Sequence, residues 1–394
     1  MQRRKWTVFG LGAVGLASAL TLAAFVAPNR TAAAAKPYTP ADPAAIVAHV
    51  PARDPAEVAA RQAFAASPDD IALAVKLARA DIGRYRALSD PRYLGRAQAT
   101  LARWWSLPAP PADVRLLRGI IEQSIHQFPA ARADLDAVIA ERPADGQALL
   151  TRAVVATVTA DYAAARTSCA AVAKLADRIV AATCIAPLDA LSDPEGAYKR
   201  LAAVINDLPP GVDKSVRTWA LTTLGEIAVM RGATNDAELV FMQAQIVDEE
   251  DNYGRDALAD VYLRAHRYAE ASTLLAGREV VDGHLVRRAI AEHLGHGPDA
   301  EKLAKMMRER IAAAAERGDR VHLREEAMFA LVVEGDAKRA VALAIENWGV
   351  QKELADARLL VAAATAAGTP EAAAPVRAWI DANHVHDAIL GGAP

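Results

Sequence analysis

The sequence predicts an all-α protein built from antiparallel helix pairs stacked into a solenoid. Three observations carry this. Alanine fills 94 of the 394 positions, whereas aromatic residues make up only 5% of a chain that is 53% hydrophobic. Alanine has the strongest helix propensity and loses no side-chain entropy in a helix, so this composition favours many closely packed helices. It argues against a strand-rich sandwich or barrel, which needs more β-branched and aromatic residues. High apolar content with a net charge of −3 argues against disorder. The second observation is a recurring small residue, at Ala97, Ala131, Ala165, Ala197, Ala237 and Ala271, with steps of 34, 34, 32, 40 and 34. The third is a larger residue four positions after each of these: Leu101, Leu135, Cys169, Leu201, Phe241 and Leu275.

Taken in order, residues 1–35 read as a targeting segment. Arg3, Arg4 and Lys5 precede an uncharged apolar run over residues 6–28, and Arg30 precedes the small residues Ala32 to Ala35. Those are the parts of a signal peptide, with cleavage expected after Ala35. An uncleaved membrane anchor through residues 6–28 is the alternative, since about 20 apolar residues span a bilayer. Both readings put the remaining chain outside the cytoplasm, most simply in the periplasm. Arg3-Arg4 also bears a weak likeness to a twin-arginine signal. Gly10, Gly12 and Gly15 match a dinucleotide-binding fingerprint, but too little chain precedes them for a strand, and no acid stands where the ribose would be held. Without residues 1–35 the chain has 41 basic and 48 acidic residues, a net of −7. No basic stripe stands out, which argues against nucleic acid as a partner. Residues 36–55 hold five prolines and read as an extended linker.

Residues 56–281 carry the ladder. Twelve positions before the small residue lies another small one in most copies, at Gly119, Ala153, Gly225 and Ala259, and an aromatic precedes the small residue by three at Phe128, Tyr162 and Tyr268. Two helices of about 12 to 15 residues fit one period. The small residues let them cross closely, and the larger residue one turn on fills the space toward the next pair. Breakers separate the copies at Pro108 to Pro111, Pro143 and Pro209 to Gly211, and turns within copies fall at Arg231-Gly232 and His266-Arg267. The first copy departs, with 19 residues between Ala78 and Ala97, which predicts a longer hairpin turning near Ser89-Asp90-Pro91.

This pattern resembles the tetratricopeptide repeat family. Leu221, Leu224 and Gly225, followed by Ala237, Phe241 and Ala244, sit where that family shows its two-helix signature, as do Leu258, Ala259, Tyr262, Tyr268 and Ala271, and Pro143 matches its terminal proline. The resemblance covers roughly residues 70–280. It implies a right-handed superhelix that presents a concave surface to protein partners, with no catalysis. Residues 282–394 continue as helix pairs without a clean signature, turning at His296 to Pro298, Glu334 to Asp336 and Gly368 to Pro370. Within them Glu325, Asn347, Trp348, Gln351 and Asp356 mark a distinctive end module, read as a variant repeat or a capping unit, since an array needs some polar cap at its end.

Few residues suggest chemistry. Cys169 and Cys184 are the only cysteines. They fall on the second helix of one copy and the first helix of the next, where a disulfide is feasible and two buried free thiols are the alternative. His284, His293 and His296 raise a metal-handling role, but no acid or cysteine completes a ligand set. Glu325, Glu326 and Glu334 are close in sequence, and paired acids can run glycoside hydrolysis. With Trp104, Trp105, Trp219 and Trp348 they define the alternative of a toroidal α-helical envelope hydrolase. Solvated helix faces account for them more simply. No nucleophile elbow, zinc-protease motif or phosphate loop appears, and no cofactor is called for.

The family register places groove positions at Asp113, Leu116, Ile120 and Gln123, and at Gln147, Leu150, Val154 and Thr157. It also places Trp219, Thr222, Glu226 and Met230, and Tyr253, Asp256, Asp260 and Arg264, on the groove. The last two sets form the candidate binding surface, mixed enough to take a peptide with some basic character. The resulting expectation is an exported, non-catalytic scaffold or adaptor that binds a protein or peptide partner in the cell envelope.

Overall fold

The computed structural model describes residues 54–318 and 320–391, and one compact unit begins at Val58. The expected targeting segment, and all but the last residues of the expected linker, lie outside the described residues. Nineteen α-helices and no strand occur among the described residues. They are α1 (Pro55–Ala66), α2 (Ile71–Leu88), α3 (Arg92–Trp105), α4 (Ala112–Ser124), α5 (Phe128–Glu141), α6 (Gly146–Val158), α7 (Tyr162–Val172), α8 (Arg178–Ala190), α9 (Pro194–Asn206) and α10 (Lys214–Met230). There follow α11 (Thr234–Val247), α12 (Asn252–Arg264), α13 (Tyr268–Leu275), α14 (Asp282–Leu294), α15 (Ala300–Arg317), α16 (Leu323–Val332), α17 (Ala337–Val350), α18 (Leu354–Ala366) and α19 (Ala374–Asn383). From α2 onward they pair as consecutive hairpins, and the first helix of each pair also packs on the first helix of the next. This is an all-α solenoid.

The ladder read from the sequence is the core of these hairpins. All six recurring alanines are at most 1% exposed, and Leu101, Leu135, Leu201, Phe241 and Leu275 are buried with them. The crossings are tight. A Cβ on Gly119 would meet Leu135 Cγ at 3.2 Å and the Ala131 carbonyl at 3.3 Å. One on Gly225 would lie 2.6 Å from Phe241 Cε1. Hairpins turn through one left-handed residue: His126, Ala160, Gly232 and His266, with φ of 59, 60, 71 and 57°. After each of these, the next N–H (Gln127, Asp161, Ala233 and Arg267) donates back to a carbonyl five residues earlier. That bond satisfies an orphan helix-end carbonyl. The first hairpin is longer, as expected, with α2 ending at Ser89 in a left-handed conformation.

Cys169 on α7 and Cys184 on α8 are disulfide-bonded, with Cα atoms 5.6 Å apart. Of the two readings open from the sequence, the structure has the bonded one, in the neighbouring-helix geometry that the register implied.

The polar residues of the end module do not face outward as a cap. Asp356, 1% exposed, accepts from Arg324 Nε at 2.6 Å, from Asn347 Nδ2 at 2.7 Å and from the Glu353 N–H at 3.1 Å. These groups form a buried network among α16, α17 and α18. The C-terminal elements also return to the middle of the array. The Lys352 N–H donates to the Val158 carbonyl at 2.7 Å, that of His386 to Leu191 at 2.6 Å and that of Ala388 to Met230 at 2.8 Å. Trp379 Nε1 donates to the Tyr162 hydroxyl at 2.9 Å, and Trp379 meets Trp348 edge to face at 5.4 Å. Farther back, Asn252 at the start of α12 bonds Ser89 Oγ at 2.9 Å.

Candidate functional site

The return of the C-terminal helices encloses a cavity of about 510 Å³. One wall is formed by α10 and α12. Spacings of three or four residues bring Tyr253, Asp256, Asp260 and Arg264 to one face of α12, and Glu226 and Met230 stand beside them on α10. The opposite wall is α16 and α18, with Arg324, Glu353 and Arg358, and Tyr162, Leu191, Leu359 and Trp379 add apolar surface.

Six of the eight candidate residues therefore line one cavity: Glu226, Met230, Tyr253, Asp256, Asp260 and Arg264. The other two do not. Trp219 packs on the cluster around the disulfide. Thr222 is buried and returns its hydroxyl to the carbonyls of Thr218 and Trp219 at 3.1 and 3.0 Å. Among the earlier groove positions, Leu116 and Ile120 are core, Asp113 pairs with Arg142 at 3.0 Å, and Thr157 reaches the cavity.

The acids of α12 are not free for a basic partner, because the next helix supplies that partner within the chain. Asp260 accepts from Arg287 Nε and Nη2, at 2.8 and 2.9 Å. Asp256 receives His284 Nδ1 at 2.7 Å and Arg287 at 3.4 Å. Burial alone would lower the Arg287 pKa, but the Asp256 and Asp260 charges hold it above its usual range. His284 is buried, and its other nitrogen lies 3.1 Å from Asn252 Oδ1. It is thus spent on structure, and no group of three or more metal-ligating side chains occurs among the described residues. Glu326 and Glu334 are bound by Arg339, at 2.7 and 2.6 Å. Of the three acids close in sequence, only Glu325 lines the cavity.

Glu226 and Tyr253 make the most perturbed corner. The Tyr253 hydroxyl donates to Glu226 Oε1. Tyr253 and Glu226 are both exposed to the space of the cavity. The protein around that space desolvates Glu226 and pushes it up to about 7; the tyrosine bond opposes the rise and the Glu353 charge adds to it. Desolvation likewise drives Tyr253 well above its usual range. Across the cavity, Arg324 lies between Asp356 and Glu353. Burial disfavours its charge, and the two carboxylates more than restore it. Burial lifts Tyr162 to about 12 against the bond from Trp379.

Arg324, Arg358, Glu353 and Trp379 were missed as cavity residues. Their only sequence signal was the unusual polarity of the end module, which does not say which earlier helices it faces.

No profile of a known protein family matches the chain, and no curated protein matches it. Solved structures do resemble it. A tetratricopeptide repeat protein from Parabacteroides merdae is 14% identical, with a TM-score of 0.37 over 73% of this chain and 99% of that one. The tetratricopeptide repeat domain of P58(IPK) is 16% identical, with a TM-score of 0.19 over 79% and 93%. The Cut9–Hcn1 hetero-tetramer of the APC/C is 11% identical, with a TM-score of 0.28 over 82% of each chain. Likenesses at this level do not establish membership. The helix pairs, their small-residue crossings and their stacking make the chain an all-α helical-repeat array consistent with the tetratricopeptide repeat.

Proposed function

We propose that the chain is an exported, non-catalytic scaffold of the cell envelope that holds a protein or peptide partner at its concave face. The observation that carries this is the convergence of Glu226, Met230, Tyr253, Asp256, Asp260 and Arg264 on one cavity. A cavity of about 510 Å³ suits a short segment of a partner more than a long peptide laid along the array. Most carboxylates at its wall are engaged by arginines, an arrangement that favours recognition over proton transfer. The Cys169–Cys184 bond supports export, because disulfides persist in oxidising compartments.

Two experiments test the reading. A photoreactive amino acid at Tyr253, on the cavity rim, is expected to crosslink one partner in the exporting cell. The same group at Ile246, exposed on α11, is expected to crosslink none. Equal capture at both positions would refute a concave-face site. Fusing residues 1–60 to alkaline phosphatase should give activity outside the cytoplasm, and an inactive fusion would remove the export claim.

One feature favours the alternative of an envelope hydrolase: Glu226, titrating near neutrality beside a tyrosine. Cleavage of cell-wall glycan by the purified chain, abolished by Glu226→Gln, would establish that alternative.

A further inference from the structure

Of the four arginines that line the cavity, Arg264 alone has no carboxylate partner among the described residues. Near the end of α12, Arg264, Arg287 and Arg358 gather with Asp260 and Asp387, each close enough to bear on the charge of Arg264. Both carboxylates are taken. Asp260 holds Arg287 through two bonds. Asp387 accepts from Arg358 Nε at 3.2 Å and Nη2, and from the N–H groups of Ile389 and Leu390 at 3.1 and 2.9 Å. Asp256 is shared by His284 and Arg287. Arg264 has no hydrogen-bond or ion-pair partner among the described residues. Arg264 is exposed to the solvent of the cavity, while the surrounding protein and the neighbouring guanidiniums lower its pKa.

Apolar residues share the cavity wall with these charges. Met230 occupies the matching position one repeat earlier, and Leu359 and Ile389 line the same cavity. From Tyr253 to Arg264 the lining face of α12 runs about 16 Å at 1.5 Å per residue, so the space is elongated. Its volume falls in the range of small-molecule sites. An unmatched guanidinium at one end of an elongated, partly apolar chamber fits one class of occupant.

We propose that this part of the cavity binds an organic anion, an apolar chain ending in a carboxylate or a phosphate ester, with Arg264 pairing to the anionic group. Guanidinium is the side chain best matched to either head group, because it forms two parallel charge-assisted bonds. The site does not require a protein partner, and its readout is separate from crosslinking at Tyr253.

The test uses the purified chain with four probes of equal length: octanoate, octyl phosphate, octanol and octylamine. Octanoate or octyl phosphate should bind one to one by calorimetry and raise the melting temperature saturably, whereas octanol and octylamine should do neither. The tighter of the two anions identifies the head group. Arg264→Gln should weaken the anion at least about tenfold, the loss expected for one charge-assisted contact. Unliganded Arg264→Gln should melt close to the wild-type temperature, because Arg264 is exposed and has no partner to lose, and Arg264→Lys should keep part of the affinity. Octanol binding as well as octanoate, wild-type affinity in Arg264→Gln, or a clear drop in its unliganded melting temperature would each overturn the proposal.

Discussion

The ladder of α4 to α13 and the end module of α16 to α19 solve the same problem by opposite means. In the ladder each helix pair buries alanines and one larger apolar residue against the next pair, and the decisive contacts lie about one period apart. Stability there is a sum of nearest-neighbour terms. The end module instead buries charge, with Arg324, Asn347 and the Glu353 N–H all on Asp356. Its outward contacts reach back more than 150 residues, from Trp379 to Tyr162 and from His386 to Leu191. Small-residue packing extends an array indefinitely, whereas a satisfied polar network with long-range contacts ends it and creates an enclosed space.

The largest expected effect is therefore in the end module. Asp356→Ala leaves Asn347 buried without its acceptor and Arg324 with Glu353 alone, and should cost about 3–5 kcal/mol in urea denaturation. By hydrogen exchange, the amides of Lys352, His386 and Ala388 should lose protection together while those of α4 and α5 keep theirs. Uniform loss along the chain would break the distinction between the regions. In the ladder, Gly225→Val drives a side chain into the buried ring of Phe241 and should cost about 2–3 kcal/mol. Phe241→Leu in the same chain should recover part of that in a double-mutant cycle.

Glu122 is one of the ladder's buried polar groups. It is 9% exposed and its Oε2 has no partner. Burial, with the Asp134 charge adding and Arg118 opposing, raises its pKa to about 7. The folded state thus holds the proton more tightly than the unfolded chain, so this group destabilises the fold as pH rises from about 4.5 to about 7. Glu122→Gln should flatten that slope and raise stability at pH 8 by about 1–2 kcal/mol, as read from melting at several pH values. The smallest effect is expected for Tyr162→Phe, which removes the acceptor of Trp379 Nε1. A loss of about 1 kcal/mol and a shifted Trp379 emission would confirm that this bond fastens the end module to the ladder.

The ladder was legible because its physics is periodic. Ala97, Ala131, Ala165, Ala197, Ala237 and Ala271 repeat because helices cross closely at each, and the same register put Cys169 beside Cys184. The candidate site was legible in part. The register identified which face of α12 looks inward, so Tyr253, Asp256, Asp260 and Arg264 were found. It could not show that Trp219 and Thr222 turn into the core, or that Arg287 and His284 claim the two aspartates. Those outcomes depend on a few degrees of helix rotation and on long side chains from the next helix, neither of which spacing records.

By itself, then, the sequence determined the helix pairs, their order, their tight crossings and the neighbouring cysteines, since all of these follow from contacts within about one repeat. The tertiary structure alone decided where α16 to α19 return, which carboxylates are already paired, and that Arg264 lines the cavity without a carboxylate partner. Curvature accumulated over many repeats brings residues 324–390 against residues 158–264, and no local pattern encodes an accumulated angle.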